Sequence, residues 1–151
     1  MFTGLVVFVA SASLALADTS YGNWKSFNAG STGATVRARN YVVSDTSAHT
    51  FRAYTIVTRL PYTSATVPAY GAGANAELRD YYGTLMAATT WSYNVGPIPG
   101  GTSTVVLSFT AAAYTSQATA AHSDGEARGA KSSGSGYTTY VLDRSGNVAN
   151  Y

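Results

Sequence analysis

The sequence predicts an all-β fold, an antiparallel β-sandwich with at most one short helical turn, and three observations carry that expectation. Short runs rich in Val, Thr, Tyr and Phe alternate apolar with polar residues, the period of a half-buried strand. Clusters of Gly, Pro, Asn, Asp and Ser separate these runs at the spacing of strand-to-strand turns. The one stretch with helical spacing, residues 75–86, is interrupted by Gly83. A chain of 151 residues suits one domain with its own core, and no repeat at a fixed period is visible.

Residues 1–17, "MFTGLVVFVASASLALA", form an apolar run ending in Ala15-Leu16-Ala17, a small-x-small pattern that reads as a secretory signal with its cleavage site. The run is shorter than the roughly 20 residues a membrane-spanning helix needs, so no stable membrane insertion is expected after cleavage. The mature domain then covers 18–151 and is secreted, either extracellular or at the cell surface. Its first stretch places Tyr21, Trp24 and Phe27 among turn formers, as a ragged strand or an ordered arm.

"ATVRARNYVVS" and "HTFRAYTIVTRL", separated by "DTSA", read as an antiparallel hairpin. A register with Val42 opposite Phe51 puts Val36, Ala38, Val42, Phe51, Ala53 and Val57 on one face, interrupted by the polar Asn40 and Thr55. The other face then carries Arg37, Arg39, Tyr41, Arg52, Tyr54 and Ile56. Arg39 would oppose Tyr54 and Tyr41 would oppose Arg52, which allows arginine-over-ring contacts.

Residues 61–76 are rich in Pro, Gly and Ala and read as a loop with an edge strand near Thr66 and Val67. Asn75 is a candidate N-cap for a single helical turn before a strand that starts near Leu85 and carries Ala87, Trp91, Tyr93 and Val95 on the same side as Leu85. "GPIPGG" at 96–101 is a connection that its prolines keep out of sheet hydrogen bonding. The following run, to Ala113, is the clearest strand, with Val105, Leu107 and Phe109 pointing one way. Residues 115–136 begin as a strand and dissolve into a polar loop from His122 to Gly136. A last strand from Tyr137 to Leu142 and a turn at 143–147 complete the chain.

At "VGPIPGGTSTVVLSF" the turn followed by alternating valine and leucine resembles the strand entry of immunoglobulin-like and fibronectin type III-like domains of secreted proteins. "YVLDRSGNVANY" is similar to the closing strand of some bacterial members. The resemblance implies an immunoglobulin-like or jelly-roll-like sandwich and no particular function, since such domains serve as spacers, adhesins and binding modules alike.

Composition narrows the chemistry. There is no cysteine, so disulfides, thiol catalysis and thiolate metal sites are excluded. Charged residues make up 11% of the chain against roughly 25% in average soluble proteins, so solvation falls to Ser, Thr, Asn and Gly. A formal net charge of +2 from dispersed basic residues is too weak for a nucleic-acid binder. His122, Asp124 and Glu126 alternate, but on a glycine-flanked loop they would be solvated, and their spacing matches no calcium loop.

No nucleophile elbow, phosphate cradle or dinucleotide fingerprint occurs, and the carboxylates fall mostly in expected turns. No catalytic residue, metal ligand or cofactor is assigned. Surface recognition remains: Trp24, Arg37, Arg39, Tyr41, Arg52, Tyr54, Trp91 and Tyr93 are the candidate binding residues. They would serve a protein partner, self-association through the 18–27 arm, or an extracellular glycan. A small toxin or pore former would need residues 34–60 as its membrane hairpin, where four arginines would face lipid at high cost. Mass spectrometry of the exported protein is expected to show a chain beginning at Asp18; a retained 1–17 segment would contradict the signal reading.

Overall fold

The computed structural model describes residues 18–45, 48–60, 64–100, 105–113 and 118–149, with the backbone alone at 105–108 and 111–113. The expected signal segment and its cleavage site lie outside these residues. The described chain forms β1 (Asp18–Tyr21), β2 (Lys25–Asn28), β3 (Thr35–Asp45), β4 (Thr50–Arg59), β5 (Ala72–Ala74), β6 (Glu77–Asp80), β7 (Leu85–Ala88), β8 (Ser92–Tyr93), β9 (Val105–Ala113), β10 (Ala120–Asp124), β11 (Glu126–Ala130), β12 (Tyr137–Val141) and β13 (Val148–Ala149). No helix occurs among the described residues, and every strand pairing is antiparallel.

Two layers make an antiparallel β-sandwich. In the first, β1 and β2 lie end to end along one edge of β3, followed by β4 and β9. The second consists of four long strands, each broken near its middle, in the order β13-β10-β6-β7 in one half and β12-β11-β5-β8 in the other. Only Gly125 separates β10 from β11, and Asn75 and Ala76 separate β5 from β6.

The β3/β4 hairpin has the expected faces. Val36, Ala38, Asn40, Val42, Phe51, Ala53, Thr55 and Val57 are all buried against the second layer. Its register differs by two residues: Val42 opposes Ala53, and Ser44 opposes Phe51. The turn sits one residue later than "DTSA", because the Asp45 carboxylate accepts the Ala48 N–H at 3.0 Å and His49 takes a φ of 50°. A shift of two preserves every face but replaces every opposite neighbour. Arg39 therefore opposes Ile56, Tyr41 opposes Tyr54 and Arg52 opposes Val43.

The second layer departs further from expectation. Residues 72–74 form a strand rather than a loop, and 77–80 form a strand rather than a helical turn. Asn75 is no N-cap: its side-chain oxygen accepts the Glu126 N–H at 2.7 Å. Residues 120–130 run through the sheet, so His122, Asp124 and Glu126 stand on strands instead of a polar loop. The physical reason is side-chain size. The inward positions Ala72, Ala74, Ala121 and Ala127 are fully buried alanines, which fill a closely approached layer without producing a strong apolar alternation.

One smaller correction concerns the connection. Ile98 is buried and exchanges two backbone hydrogen bonds with Val67, at 2.8 and 3.0 Å, so the prolines flank a bridged residue. Val67 and Ile98 supply the edge pairing expected near 66–67. In β9, Phe109 is exposed and Thr110 is buried.

Asn40 and Thr55 divide the core in two. On one side Phe27, Val36, Val57, Val67, Ile98 and Leu142 cluster; on the other, Val42, Phe51, Leu78, Ala121 and Val148. Between them Thr55 Oγ1 donates to Asn40 Oδ1 at 2.7 Å, while Asn40 Nδ2 donates to the carbonyls of Gly125 at 3.3 Å and Asp143 at 3.2 Å. A side chain at position 125 has no room, because a Cβ there would overlap Thr55 Oγ1 and sit 2.6 Å from the Asn75 carbonyl. Thr55→Val should lower unfolding free energy by about 1–3 kcal/mol by orphaning the Asn40 carbonyl oxygen. Gly125→Ala should cost at least as much through overpacking, about 1–3 kcal/mol or more. Urea unfolding monitored by tryptophan fluorescence measures both.

Candidate functional site

The outer face of the first layer is open to solvent, and it holds five of the eight candidate residues in mutual contact. Registered pairing sets Tyr21, Tyr41, Tyr54 and Phe109 in one straight row across β1, β3, β4 and β9. Ring centroids are 5.5 Å apart for Tyr21 and Tyr41, 4.5 Å for Tyr41 and Tyr54, and 6.0 Å for Tyr54 and Phe109. Tyr41 and Tyr54 are nearly parallel, at 4°. Each ring therefore covers one face of the other, and beyond them Tyr21 and Phe109 continue the row at a tilt. Burial, then the neighbouring Tyr54 and Tyr21 hydroxyls, raises the Tyr41 pKa above the usual tyrosine value. The phenol stays a neutral hydrogen-bond donor at physiological pH.

Beside this row the break between β1 and β2 carries Trp24 back over β3. The Arg37 and Arg39 guanidiniums each lie 4.4 Å from the Trp24 ring centroid, and Arg39 also lies 4.1 Å from Tyr21. Such contacts contribute about 0.5–1 kcal/mol each when exposed and more when water is excluded. The expected contacts with Tyr54 and Tyr41 are thus replaced by contacts with the neighbouring edge segment, because the register shift removes the tyrosines from opposite the arginines. Arg52 stands exposed in the next row, beside Tyr54 on β4. No carboxylate among the described residues pairs with Arg37, Arg39 or Arg52.

Trp91 and Tyr93 do not join this group. They belong to the outer face of the second layer, where Arg128 lies 3.7 Å from the Trp91 ring centroid and donates to the Tyr93 hydroxyl at 3.1 Å. Tyr137 packs on Tyr93 with centroids 5.1 Å apart, and its hydroxyl donates to the Tyr70 carbonyl. Burial, then the Tyr93 hydroxyl, raises the Tyr137 pKa. Phe109, Arg128, Tyr137 and Tyr70 are the residues that sequence reasoning missed. Alternation says which residues of one strand share a face but not which sheet a distant strand joins.

Further along that outer face, charged residues line an open cleft of about 440 Å³ at the Gly125 break. Glu77 is ion-paired with Arg79, and Asp124 lies 3.3 Å from Arg144 and 3.5 Å from Arg79. Glu77 and Asp124 are thus each engaged by a guanidinium, an arrangement that ties β6, β10 and the 142–147 segment together. His122 is buried beside it, with Nδ1 3.2 Å from Asn147 Oδ1 and Nε2 3.6 Å from Asp124. Among the described residues no three His, Asp or Glu side chains converge on a metal-sized site, and no helix is long and apolar enough to cross a membrane.

Comparison with known proteins gave no match to any family model, curated protein or solved structure. The geometry of the two aromatic faces therefore carries the functional argument.

The surroundings of His122 should make the stability pH-dependent. Burial, then the Arg144 charge, lowers its pKa below the ordinary 6.5, outweighing the opposing effect of Asp124. The unfolded chain takes up a proton near pH 6.5 while the folded one resists it, so stability present above pH 6.5 is lost as pH falls toward the lower folded value. Thermal unfolding midpoints should drop as pH is lowered below 6.5. His122→Gln should flatten that part of the profile; an unchanged slope would show that another group controls it.

Proposed function

We propose that the chain is a secreted, non-enzymatic β-sandwich module that docks a protein partner through the outer face of its first layer. The observation that carries the reading is the unbroken row Tyr21-Tyr41-Tyr54-Phe109 beside arginines that pair with no carboxylate among the described residues. Tyrosine, tryptophan and arginine dominate protein-interface hot spots, because they combine large apolar area with directed polar groups. Tyr21 and Phe109, 51% and 58% exposed, leave the two ends of the row uncovered. The three uncompensated guanidiniums favour a partner with an acidic surface.

Ring geometry argues against a sugar as the occupant of this face. A pyranose stacks on an open ring face, whereas Tyr41 and Tyr54 cover each other, and Arg39 covers one side of Tyr21. The 18–27 arm pairs with β3 of its own sheet, so assembly by donating that arm would require it to leave a paired position. Pairing two such faces would set like charges against each other, so the cations disfavour self-association, and sedimentation velocity reports it directly.

Immobilised protein, challenged with the material secreted by its source cells, is expected to enrich at least one acidic protein. An Arg39→Gln/Tyr54→Ser variant with unchanged thermal unfolding should bind on the order of thirtyfold more weakly, the effect of losing a single hot spot. Equal retention by both proteins, or a wild-type chain that captures nothing and sediments only as a monomer, would refute the proposal.

A further inference from the structure

The outer face of the second layer is built differently, and the difference begins at a glycine. Across β12, β11, β5 and β8, Thr139, Arg128, Gly73 and Tyr93 are registered neighbours in one row. A Cβ at Gly73 would lie 2.6 Å from both Cδ1 and Cε1 of Tyr93, so the ring leans into the space that a side chain there would fill. This lean brings the Tyr93 hydroxyl within 3.1 Å of Arg128 Nη1.

The surrounding rings are splayed. Trp91 and Tyr93 are 6.4 Å apart at 30°, and Tyr93 and Tyr137 are 5.1 Å apart at 40°, against 4.5 Å and 4° for the stacked pair on the other face. No two of these three rings approach as closely or lie as nearly parallel as Tyr41 and Tyr54. Next to them Tyr70, a non-glycine residue at φ 57°, keeps its ring 54% exposed. Its backbone is locked by a 2.7 Å bond from its N–H to the Asn94 carbonyl and by the Tyr137 hydroxyl. A bulky residue held in the left-handed region marks a position that the surrounding structure over-determines.

Charge selects the ligand. Arg128 donates to Thr139 Oγ1 and to Tyr93 Oη, both neutral, and no carboxylate among the described residues pairs with it. The half-exposed rings of Tyr93 and Tyr137 fit the C–H face of a sugar ring, and the guanidinium fits a carboxylate beside that ring. We infer that this face is a second binding site, for an oligosaccharide containing uronic acid. The sugar lies on Tyr93 and Tyr137, and its carboxylate is held by Arg128. The site shares no residue with the protein-docking face and stands or falls independently of it.

Isothermal titration calorimetry of the wild-type protein with oligosaccharides of galacturonic acid, of alternating mannuronic and guluronic acid, and of hyaluronan tests the inference. Titration of Trp91 fluorescence in a Trp24→Phe variant provides a second readout. At least one acidic oligosaccharide should bind saturably and perturb Trp91, with neutral galacto- and mannotetraose about tenfold weaker or more. Arg128→Gln should lose the preference for acid, again by about tenfold, while Arg37→Gln/Arg39→Gln on the opposite face binds as wild type. Failure of all three acidic ligands, equal binding of the neutral ones, or binding that survives Tyr93→Ala would overturn it.

Discussion

The hydrogen-bonded plug of Asn40, Thr55 and the Gly125 carbonyl is the constraint on which the rest of the sandwich depends. Burying an amide and a hydroxyl between two sheets is costly unless each finds its partners, and here the amide bonds to both layers. The partners exist only because the second layer opens at that height. Gly125 turns its carbonyl inward, Asn75 holds Glu126 by side chain and backbone, and the 143 carbonyl approaches from the β12–β13 connection. The same level breaks the edge of the first layer, where the Gly22 N–H donates to the Asn40 carbonyl at 2.8 Å. That break is what frees Trp24 to fold over Arg37 and Arg39, so the architecture of the core and the chemistry of the surface share one origin.

The two outer faces use the same residue types to opposite effect. On the first layer, a straight cross-strand row lets Tyr41 and Tyr54 stack face to face, beside arginines that pair with no carboxylate among the described residues. On the second, a missing side chain at Gly73 lets one ring lean over and splay from its neighbours, with its hydroxyl tethered to Arg128. Residue type alone does not distinguish these surfaces. The distinction lies in one parallel pair, Tyr41 and Tyr54, on the first face and in one ring seated over a glycine, Tyr93, on the second. The charged cleft between Glu77, Arg79, Asp124 and Arg144 separates itself from both, because its cations are already neutralised.

Much of the first layer was legible from alternation, and much of the second was not. Asn40 and Thr55 already stood out as polar interruptions on an apolar face, which is the sequence trace of the plug. The faces of β3 and β4 followed from period two, but their register followed from the Asp45 side-chain bond to Ala48, which no hydrophobic pattern encodes. In 72–80 and 120–130 the inward positions are mostly alanines and the outward ones charged or glycine, so strands looked like loops. Of the candidate binding residues, Arg37, Arg39, Tyr41 and Tyr54 were grouped correctly because they share one hairpin. Trp91 and Tyr93 were grouped with them by residue type, and only the strand order places them on the opposite side.

The plug has a further consequence because the chain lacks cysteine. Immunity to reductants and freedom from mispaired bridges come together: every cross-link between the layers is a reversible contact between groups already present in the nascent polypeptide. Refolding from denaturant then needs no oxidant, no isomerase and no ordered sequence of bond formation. The penalty falls on geometry, since a tie made of one amide and one hydroxyl holds only while both layers are closed around it. Anything that parts the two sheets at this height breaks the tie and wets both halves of the core together.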